Sequence, residues 1–505
     1  MTIGNGRGGP EMADPASTES RRPRRVLMVL YFFPPIGGVS MSRNLRHAEH
    51  LPRYGWTPVV LTPGNGGYEL RDPEALDSVP PGLAIIRTRS LEAGHLRPLV
   101  ATLRRLLRRR PGPPPAGDDS RPSSRPDRDA HRRAEGAPGT PLRVRGVGRL
   151  RRLFFFPDDQ VGWLPFALSA AIRLTGSWRF DVVFSTSSPI TSHLIAGFFA
   201  RLTRTPWVAE FRDPWLGNAL EPPLPWFHRR LQAKVERWIF RSADRIVCVT
   251  PSLTHLYQKR YPAVSIVTIT NGYDRSEVPV RPTERAGQQR FRIIYTGTLY
   301  RPSELEVFLG GVAALVARRP DLRGHLEIAF YGQVTDECRA VADRWMHDSE
   351  LRAVVQFFGF VPRHVAMRSL AEADAALVLL GRGPGMGLFV GGKVYDYLGQ
   401  SKQILAVIPP GDARDVLEGL SWGVIADPDP EDVGLAIERL LALPMPDGPA
   451  DPTGRYDREA LTARLADTLA EAAKNRAPNP AAASRDSAPG HRTGPAPEQR
   501  TPRAG

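Results

Sequence analysis

The stretch VLMVLYFFPPIGGVSMSRNL (26–45) decides the fold class, because it joins a buried strand, a glycine turn and a helix. Its apolar start predicts a strand, which ends at Pro34-Pro35 and turns at Gly37-Gly38 into the helix. Paired glycines let a backbone approach a ligand closely, and the following helix N-terminus favours a phosphate. The alternative is a tight turn that binds nothing. The stretch is neither GxGxxG nor a Walker sequence, which disfavours simple dinucleotide or P-loop chemistry.

Outward from this stretch, strand-like and helix-like runs alternate, and the order strand, glycine turn, helix is repeated at FRIIYTGTLY (291–300). Such alternation is typical of βα units that build parallel sheets. We therefore predict an α/β protein with two tandem Rossmann-like, doubly wound domains that face a central cleft. The predicted segments are a disordered tail (1–23), an N-terminal domain (24–275) with a low-complexity insertion (about 111–147), a C-terminal domain (276–455), a final helix (456–475) and a second disordered tail (476–505).

The formal net charge of +15 is concentrated outside the predicted domains. Residues 97–152 contain sixteen arginines and five acidic residues, and both tails add positive charge. The remaining chain is nearly neutral, whereas a nucleic-acid-binding protein usually carries a basic stripe on its fold, so we expect no nucleic-acid partner. The segment LVATLRRLLRRR (99–110) has a basic amphipathic pattern that suits an anionic membrane surface, with a solvated basic linker as the alternative.

The cysteine content and the apolar runs indicate a cellular compartment. Cys248 and Cys338 are the only cysteines, too few for a disulfide framework and not arranged as a CxxC zinc motif, which fits a reducing compartment. The N-terminus lacks an apolar signal segment, and no run is long enough to span a bilayer. We expect a cytoplasmic protein, peripheral on the inner face of the cell membrane if the basic amphipathic segment binds lipid.

A second glycine-rich stretch, GRGPGMGLFVGGKVYDYLGQSKQILAVIPPG (381–411), is the most informative part of the chain. Its glycines lead into a helix on which Lys393 and Asp396 share one face. A cation beside free backbone N–H groups would hold a diphosphate, and a carboxylate one turn later could accept hydrogen bonds from ribose hydroxyls. These features predict a nucleotide-sugar site. The alternative is a mobile loop followed by an exposed ion pair between the two side chains.

Three features of the N-terminal domain are candidates for the cleft. Arg212-Asp213 follows a predicted strand and favours contact with donor or acceptor, with a structural ion pair as the alternative. The hydroxyl-rich loop 185–188 could line the cleft or cap the next helix. His193 could act as a base there, but a histidine packed between its helix and the sheet is the favoured interpretation.

Nine short motifs make the sequence resemble the retaining glycosyltransferases of family 4, which have the GT-B fold. In chain order they are FFPPIGGVSMSRN, FPDDQVGW, DVVFSTSSP, AEFRDPW, ADRIVCVTP, TNGYD, IIYTGTLY, FFGFVP and GGKVYDYLGQSKQILAV. Their order and spacing are jointly specific, and the resemblance covers about residues 24–475 apart from the insertion. The family usually carries two glutamates separated by seven residues. The second matches Asp396, whereas the first falls at Leu388, whose side chain makes no polar contact.

The resemblance implies that the N-terminal domain binds the acceptor and that the C-terminal domain binds a nucleotide-diphosphate sugar. The final helix would pack back on the N-terminal domain. Transfer would keep the anomeric configuration, without a metal or any cofactor besides the nucleotide-sugar co-substrate. The implied site comprises the catalytic cations Arg212, Arg301 and Lys393 and the donor-binding residues Gly37, Gly38, Gly297, Thr298, Gly359, Phe360, Val361, Gly391, Gly392 and Asp396. The cleft candidates Ser187, Ser188 and Asp213 are added for acceptor binding.

The sequence therefore predicts a retaining, hexosyltransferase-like enzyme. It would transfer a sugar to a glycan or a lipid-linked acceptor in cell-envelope or exopolysaccharide biosynthesis. Two alternatives stay open. One is a GT-B transferase that acts on a soluble small molecule. The other is a catalytically inactive GT-B protein that binds glycans or scaffolds partners, which Leu388 keeps in view.

Overall fold

The computed structural model describes residues 23–36, 39–67, 74–92, 155–218, 225–278, 290–347, 349–420, 422–446 and 448–474. The predicted tails apart from Pro23, the insertion, the basic segment 99–110 and the Gly37-Gly38 pair lie outside these residues. What the sequence predicts for them stays a prediction.

The first sheet is parallel and, within the described residues, has seven strands in the order β3-β2-β1-β4-β5-β6-β7. Helices cover both faces, so the central strands are continuous apolar runs instead of alternating ones. The strands are β1 (Arg24–Val29), β2 (Trp56–Pro63), β3 (Ala84–Thr88), β4 (Val182–Thr186), β5 (Trp207–Phe211), β6 (Arg245–Cys248) and β7 (Ile266–Thr268).

The second sheet is also parallel, with six strands among the residues that can be described, in the order β10-β9-β8-β11-β12-β13. It has its own apolar core on each face. The strands are β8 (Phe291–Thr296), β9 (Leu326–Tyr331), β10 (Val355–Gly359), β11 (Ala375–Leu379), β12 (Gln403–Val407) and β13 (Gly423–Ala426). The two sheets confirm the predicted α/β class with two doubly wound units.

Helices connect the strands, and none of the described helices is long and apolar enough to cross a membrane. Those of the first half are α1 (Val39–His50), α2 (Leu164–Leu174), α3 (Thr191–Thr203), α4 (Trp226–Ser242) and α5 (Pro251–Arg260). Those of the second half are α6 (Pro302–Arg318), α7 (Leu322–His325), α8 (Asp336–Trp345), α9 (Ser349–Arg352), α10 (Arg363–Glu372), α11 (Gly392–Gly399), α12 (Asp412–Leu417), α13 (Pro430–Ala442) and α14 (Arg458–Lys474).

The last helix, α14, returns to the first sheet. Leu461, Leu465 and Leu469 recur at the spacing of one helical face and are fully buried in the core that β1 and α1 share. Burial of each such leucine stabilises the fold by about 1.5–3 kcal/mol. A hydrogen bond of 2.8 Å between His47 Nδ1 and Thr462 Oγ1 fixes α14 against α1. The chain end of the second half is therefore part of the first half's core.

The strand order locates the functional edge of each sheet. In the first sheet the order reverses between β1 and β4, and in the second between β8 and β11. Ligands of doubly wound sheets bind outside the carboxyl ends of the strands at such a reversal. The loops that follow these four strands are consequently the ones to inspect for a site.

Candidate functional site

Lys393 is the central residue at the reversal point of the second sheet. It lies in the first turn of α11, which begins after Gly391. Its Nζ is 3.6 Å from the centroid of the Tyr295 ring, a cation–π geometry. Within the described residues the ammonium makes no hydrogen bond or ion pair with protein. Burial lowers the pKa of Lys393 to about 7, with Glu304 opposing the shift.

Gly297, directly after β8, keeps the space beside this ammonium open. Its φ of +115° lies in the region that favours glycine, and a Cβ there would lie 3.6 Å from Lys393 Nζ. The loop after β9 packs against Gly297 so closely that a Cβ on Gly332 would lie 2.1 Å from the Gly297 carbonyl oxygen. Thr298 contributes its carbonyl oxygen to a hydrogen bond of 3.1 Å from the Tyr295 hydroxyl. Gly297 and Thr298 therefore border the Lys393 ammonium as backbone.

Arg301 and Glu304 form the opposite border of the same space, at the start of α6. Arg301 Nε lies 3.7 Å from Glu304 Oε1, and that oxygen accepts a hydrogen bond of 2.6 Å from the backbone N–H of Gly381. Burial raises the pKa of Glu304, although Gly381 and the two nearby cations act against the shift. Glu304 thus anchors the first residue of the glycine-rich loop beside Arg301 and Lys393.

The fold brings three of the predicted donor residues together, and sequence reasoning missed two of their neighbours. Gly297, Arg301 and Lys393 meet although 96 positions separate Gly297 from Lys393. Tyr295 and Glu304 were not foreseen. The signal for Glu304 was its place one turn after Arg301 on a predicted helix, whereas nothing in the sequence places a tyrosine ring beneath Lys393. The result is a cationic space at the N-termini of α6 and α11, where helix dipoles favour an anion.

The loop predicted to contact the nucleotide base follows β10. Gly359 has φ +72°, and its carbonyl oxygen accepts a hydrogen bond of 2.7 Å from the Gly332 N–H. Phe360 is 64% exposed, and Val361 packs against the core of the second sheet. The position at a strand's carboxyl end fits the expectation, and base contact stays a prediction.

Asp396, the predicted ribose ligand, is paired with a residue that the sequence analysis did not single out. Its carboxylate lies 3.1 Å from Arg363, which also contacts Glu277 at 2.7 Å. Burial alone would raise the pKa of Glu277, but Arg363 and Arg46 hold that pKa at about 2. Lys393 and Asp396 do not pair with each other, so the alternative of an exposed ion pair between them is wrong. A ribose would have to share Asp396 with Arg363.

On the N-terminal side, a buried ion pair lies beneath the predicted acceptor residues. Arg43 and Glu210 are 3% and 0% exposed, and their side chains are 2.7 Å apart. Burial alone would raise the pKa of Glu210, but Arg43 and Thr186 hold that pKa below its usual range. Arg212 donates to the Ser40 hydroxyl in the first turn of α1. That contact places Arg212 beside the N-terminus of α1, and its contact with donor or acceptor stays a prediction.

The serine loop after β4 divides into a structural and an exposed residue. Ser187 is 2% exposed, and its N–H donates to the Glu210 carbonyl oxygen at 2.9 Å. Its buried hydroxyl is therefore not presented to an acceptor, contrary to the expectation, because a hydrogen bond to β5 continues at Ser187, the residue after β4. Ser188 is exposed, and Asp213 is partly buried with its pKa raised by burial. These two remain as acceptor candidates.

His193 packs between α3 and the sheet, which is the interpretation that the sequence analysis favoured. Its Nδ1 is 2.8 Å from Ser185 Oγ, and burial lowers its pKa to about 3. A fully buried imidazole with such a low pKa remains neutral at physiological pH. It is part of the core of the first sheet.

The glycine-rich loop also contacts the N-terminal half. Leu388, at the position of the family's usual first glutamate, accepts a hydrogen bond of 3.1 Å through its carbonyl oxygen from Thr250 Oγ1. Nearby, Asp412 accepts from the N–H and the hydroxyl of Ser252, at distances between 2.8 and 3.2 Å. Leu388 therefore acts here through its backbone, at the junction of the two halves. Among the described residues no cluster of metal-ligating side chains was found.

Comparison with known proteins identifies the architecture. Residues 123–277 match the family model described as Glycosyltransferase Family 4. A glycosyltransferase from Rickettsia africae ESF-5 superimposes with a TM-score of 0.56 at 11% identity, over 90% of this chain and 100% of that one. Anabaena HepE in complex with UDP-glucose gives 0.53 at 12%, over 89% and 99%. The lipopolysaccharide outer core galactosyltransferase WaaB gives 0.50 at 12%, over 88% and 99%.

A search of curated protein sequences found no match. The solved structures, at these low identities, establish the two-domain GT-B fold. The match of residues 123–277 to the family 4 model agrees with the resemblance drawn from the motifs, over that part of the chain.

Proposed function

We propose that this glycosyltransferase transfers a sugar from a nucleotide-diphosphate donor, with retention of the anomeric configuration, to a glycan or lipid-linked acceptor of the cell envelope or an exopolysaccharide. The observation that carries the proposal is the Lys393 ammonium, which lies over the Tyr295 ring with Glu304 nearby but, within the described residues, forms no ion pair or hydrogen bond. A partly buried cation that the protein leaves unpaired is matched to an anion supplied by a ligand. UDP is the first nucleotide to test, because HepE was solved with UDP-glucose.

The bound diphosphate would occupy the space between the N-termini of α6 and α11. Lys393 and Arg301 would contact its oxygens, and the backbone N–H group of Gly392 at the start of α11 would donate to them. Negative charge builds up on the diphosphate as the bond to the sugar breaks, and preoriented donors stabilise that charge most strongly. The cations and N–H groups of this space would stabilise the leaving diphosphate, and we expect no metal to be needed. Ser188, Asp213 and Arg212 would face the acceptor from the other half.

Donor binding can be tested with a thermal-shift screen against UDP-, GDP-, TDP- and ADP-sugars. A ligand that binds only the folded state stabilises it by about 2.7 kcal/mol at a concentration of one hundred times Kd. We expect a rise in Tm with one nucleotide class and its loss in Lys393→Ala. Arg368→Ala is the matched control. Arg368 is an exposed cation of the same half, and it forms an ion pair of 3.2 Å with Glu372. Absence of a shift with every nucleotide class would contradict the donor site and favour an inactive scaffold.

Turnover separates transfer from mere binding. With the donor found by the screen and lipid-linked or oligosaccharide acceptors, we expect release of the nucleoside diphosphate and a product whose anomeric proton coupling matches that of the donor. Lys393→Ala should lower kcat about 10²–10³-fold, the usual cost of removing a donor to a developing oxyanion. A product of opposite anomeric configuration would refute the retaining mechanism.

A further inference from the structure

Helices α3 and α4 present exposed apolar side chains on the outer surface of the first half. Trp226, in the first turn of α4, is 68% exposed, and Phe227 and Leu231 on the same helix are also exposed. Phe198 and Leu202 extend the apolar surface onto α3, and Phe198 packs 5.4 Å from the Trp238 ring of α4. We refer to these five exposed side chains together with the exposed cations of α3 and α4 as the basic aromatic face.

The charge of this face has a single sign. Helix α3 contains no acidic residue, and the one acidic residue of α4, Glu236, is fully buried against Arg260 and Tyr261 at 2.6 and 2.9 Å. The exposed cations on or directly after the two helices are Arg201, Arg204, Arg229, Arg230, Lys234, Arg237 and Arg241. On the opposite side of the same sheet, α1 and α14 mix both signs, as in the exposed pair of Arg53 and Glu459. The basic aromatic face is thus a local asymmetry of a domain that is otherwise nearly neutral.

Aromatic and cationic groups of the face are also held together. The Arg230 guanidinium lies 5.0 Å from the centroid of the Trp226 ring, so one spot offers a flat apolar surface and a positive charge. Interfacial helices place Trp, Phe and Leu at the boundary between headgroups and acyl chains, while Arg and Lys reach the lipid phosphates. Protein interfaces, in contrast, are depleted of charge at their core.

From this combination we infer that the basic aromatic face docks the enzyme on an anionic phospholipid surface. A helix that follows a parallel strand runs back along the sheet, so its first turn lies at the carboxyl edge of the strands. Trp226 and Phe227 therefore lie at the edge where Arg212 and Asp213 follow β5. Docking there would bring the acceptor side of the cleft to the membrane surface. The inference extends the proposed lipid-linked acceptor, but lipid binding itself requires no sugar transfer.

The test is co-sedimentation of the full chain with vesicles of phosphatidylcholine alone or mixed in equal parts with phosphatidylglycerol. We expect binding to the mixed vesicles, weakened about fivefold for each cation neutralised in Arg230→Gln/Lys234→Gln. Trp226→Ala/Phe227→Ala should weaken it roughly tenfold, because two large apolar side chains no longer enter the interface. The matched controls Arg339→Gln/Arg352→Gln and Leu435→Ala remove exposed side chains of the other half and should bind as the unaltered protein does.

A second readout localises the contact in the unaltered protein. Hydrogen exchange should slow in the first turns of α4 when mixed vesicles are added. Equal vesicle binding by Trp226→Ala/Phe227→Ala would overturn the inference, since the arginine-rich insertion would then suffice. Slowed hydrogen exchange confined to other helices would also overturn it. So would displacement of the protein from the vesicles by an oligonucleotide, if Trp226→Ala/Phe227→Ala weakened oligonucleotide binding as much as vesicle binding. Because the assay contains no donor, a failure here leaves the thermal-shift test of the donor site unaffected.

Discussion

Arg43 and Lys393 are both buried or partly buried cations near the carboxyl edge of a sheet, and their surroundings differ. Arg43 has fixed partners on every side. It contacts Glu210 at 2.7 Å and donates to the carbonyl oxygens of Ile269 and Thr270 at 3.0 and 2.5 Å. Lys393 lies over a tyrosine ring and, within the described residues, forms no ion pair or hydrogen bond.

This difference distinguishes a cation that holds the fold together from one that we propose to bind the donor. Burial of a charge is costly, and a protein normally compensates with a partner or hydrogen bonds. Where compensation is complete, as for Arg43, the side chain holds elements together. Where it is missing, as for Lys393, our proposal is that the ligand supplies the partner. The following experiments test that distinction.

The largest expected effect is on the stability of Arg43→Met. Removing one member of a buried pair leaves Glu210 uncompensated, which should lower the free energy of unfolding by about 3–5 kcal/mol. Denaturant unfolding measures the loss, and Arg43→Met/Glu210→Gln should recover much of it. In the unaltered protein the pKa of Glu210 is below its usual value, so its stabilising effect is present above pH 4.5 and is lost as the pH falls through its pKa in the folded state. An unchanged unfolding midpoint in Arg43→Met would contradict the claim that Arg43, unlike Lys393, stabilises the fold.

The next effect is on the pH dependence of donor binding. Burial lowers the pKa of Lys393 to about 7, and an anionic donor would raise it. Donor affinity should therefore be highest below pH 7 and fall up to tenfold per pH unit above it, until the pKa of the complex is reached. Lys393→Arg, which stays protonated, should show a flat profile. Titration calorimetry from about pH 6 to about pH 9 measures both, and identical profiles would contradict the assignment.

Stability provides the matching test at the same residue. The pKa of Lys393 in the folded state is below its unfolded value of 10.5, so the unfolded chain binds more protons between about pH 7 and 10.5. The ligand-free protein should gain stability with rising pH over that window, and Lys393→Met should not. At pH 7 and below, Lys393→Met should be at least as stable as the unaltered protein, the opposite of the result for Arg43→Met.

A smaller effect is expected at Asp396. If its carboxylate accepts hydrogen bonds from the ribose, Asp396→Asn should raise the donor KM by about tenfold with little change in kcat, as expected for loss of a hydrogen bond to a charged group. Arg363→Gln is the control, because it breaks the ion pair but keeps the carboxylate. If both variants change only the melting temperature, Asp396 is structural, like Arg43.

The smallest effect is expected at the exposed pair of Arg53 and Glu459, whose charged groups are 2.6 Å apart. Solvent screens such pairs, so Arg53→Ala should leave the free energy of unfolding almost unchanged. Denaturant unfolding of this variant shows how little a cation contributes when it is neither buried nor reserved for a ligand. A loss as large as that of Arg43→Met would show that distance alone, and not burial, sets the value of these pairs.

Much of the fold could be predicted because its signals are local. Apolar runs that end in glycine turns marked the strands, and β1 and β8 lie where the repeated pattern placed them. Lys393 could be named from its place at a helix start after the glycines, and Gly297 and Arg301 from the family resemblance. Ser187 could not be judged in this way, because its burial depends on how far β4 and β5 remain paired. Strand β7 was not predicted from the sequence, because its three residues are too few to show a periodic apolar pattern.

The sequence by itself determined that the chain forms two doubly wound sheets and that its glycine turns lie at their carboxyl edges, since periodicity and turn chemistry act over a few residues. Only the tertiary structure decided which charges are satisfied. Arg43 meets Glu210 across 167 positions, Arg363 meets Asp396 across 33, and Lys393 meets a ring instead of a carboxylate. Compensation of a buried charge depends on groups that are distant in sequence, so only packing distinguishes a cation that holds the fold from one that awaits a substrate.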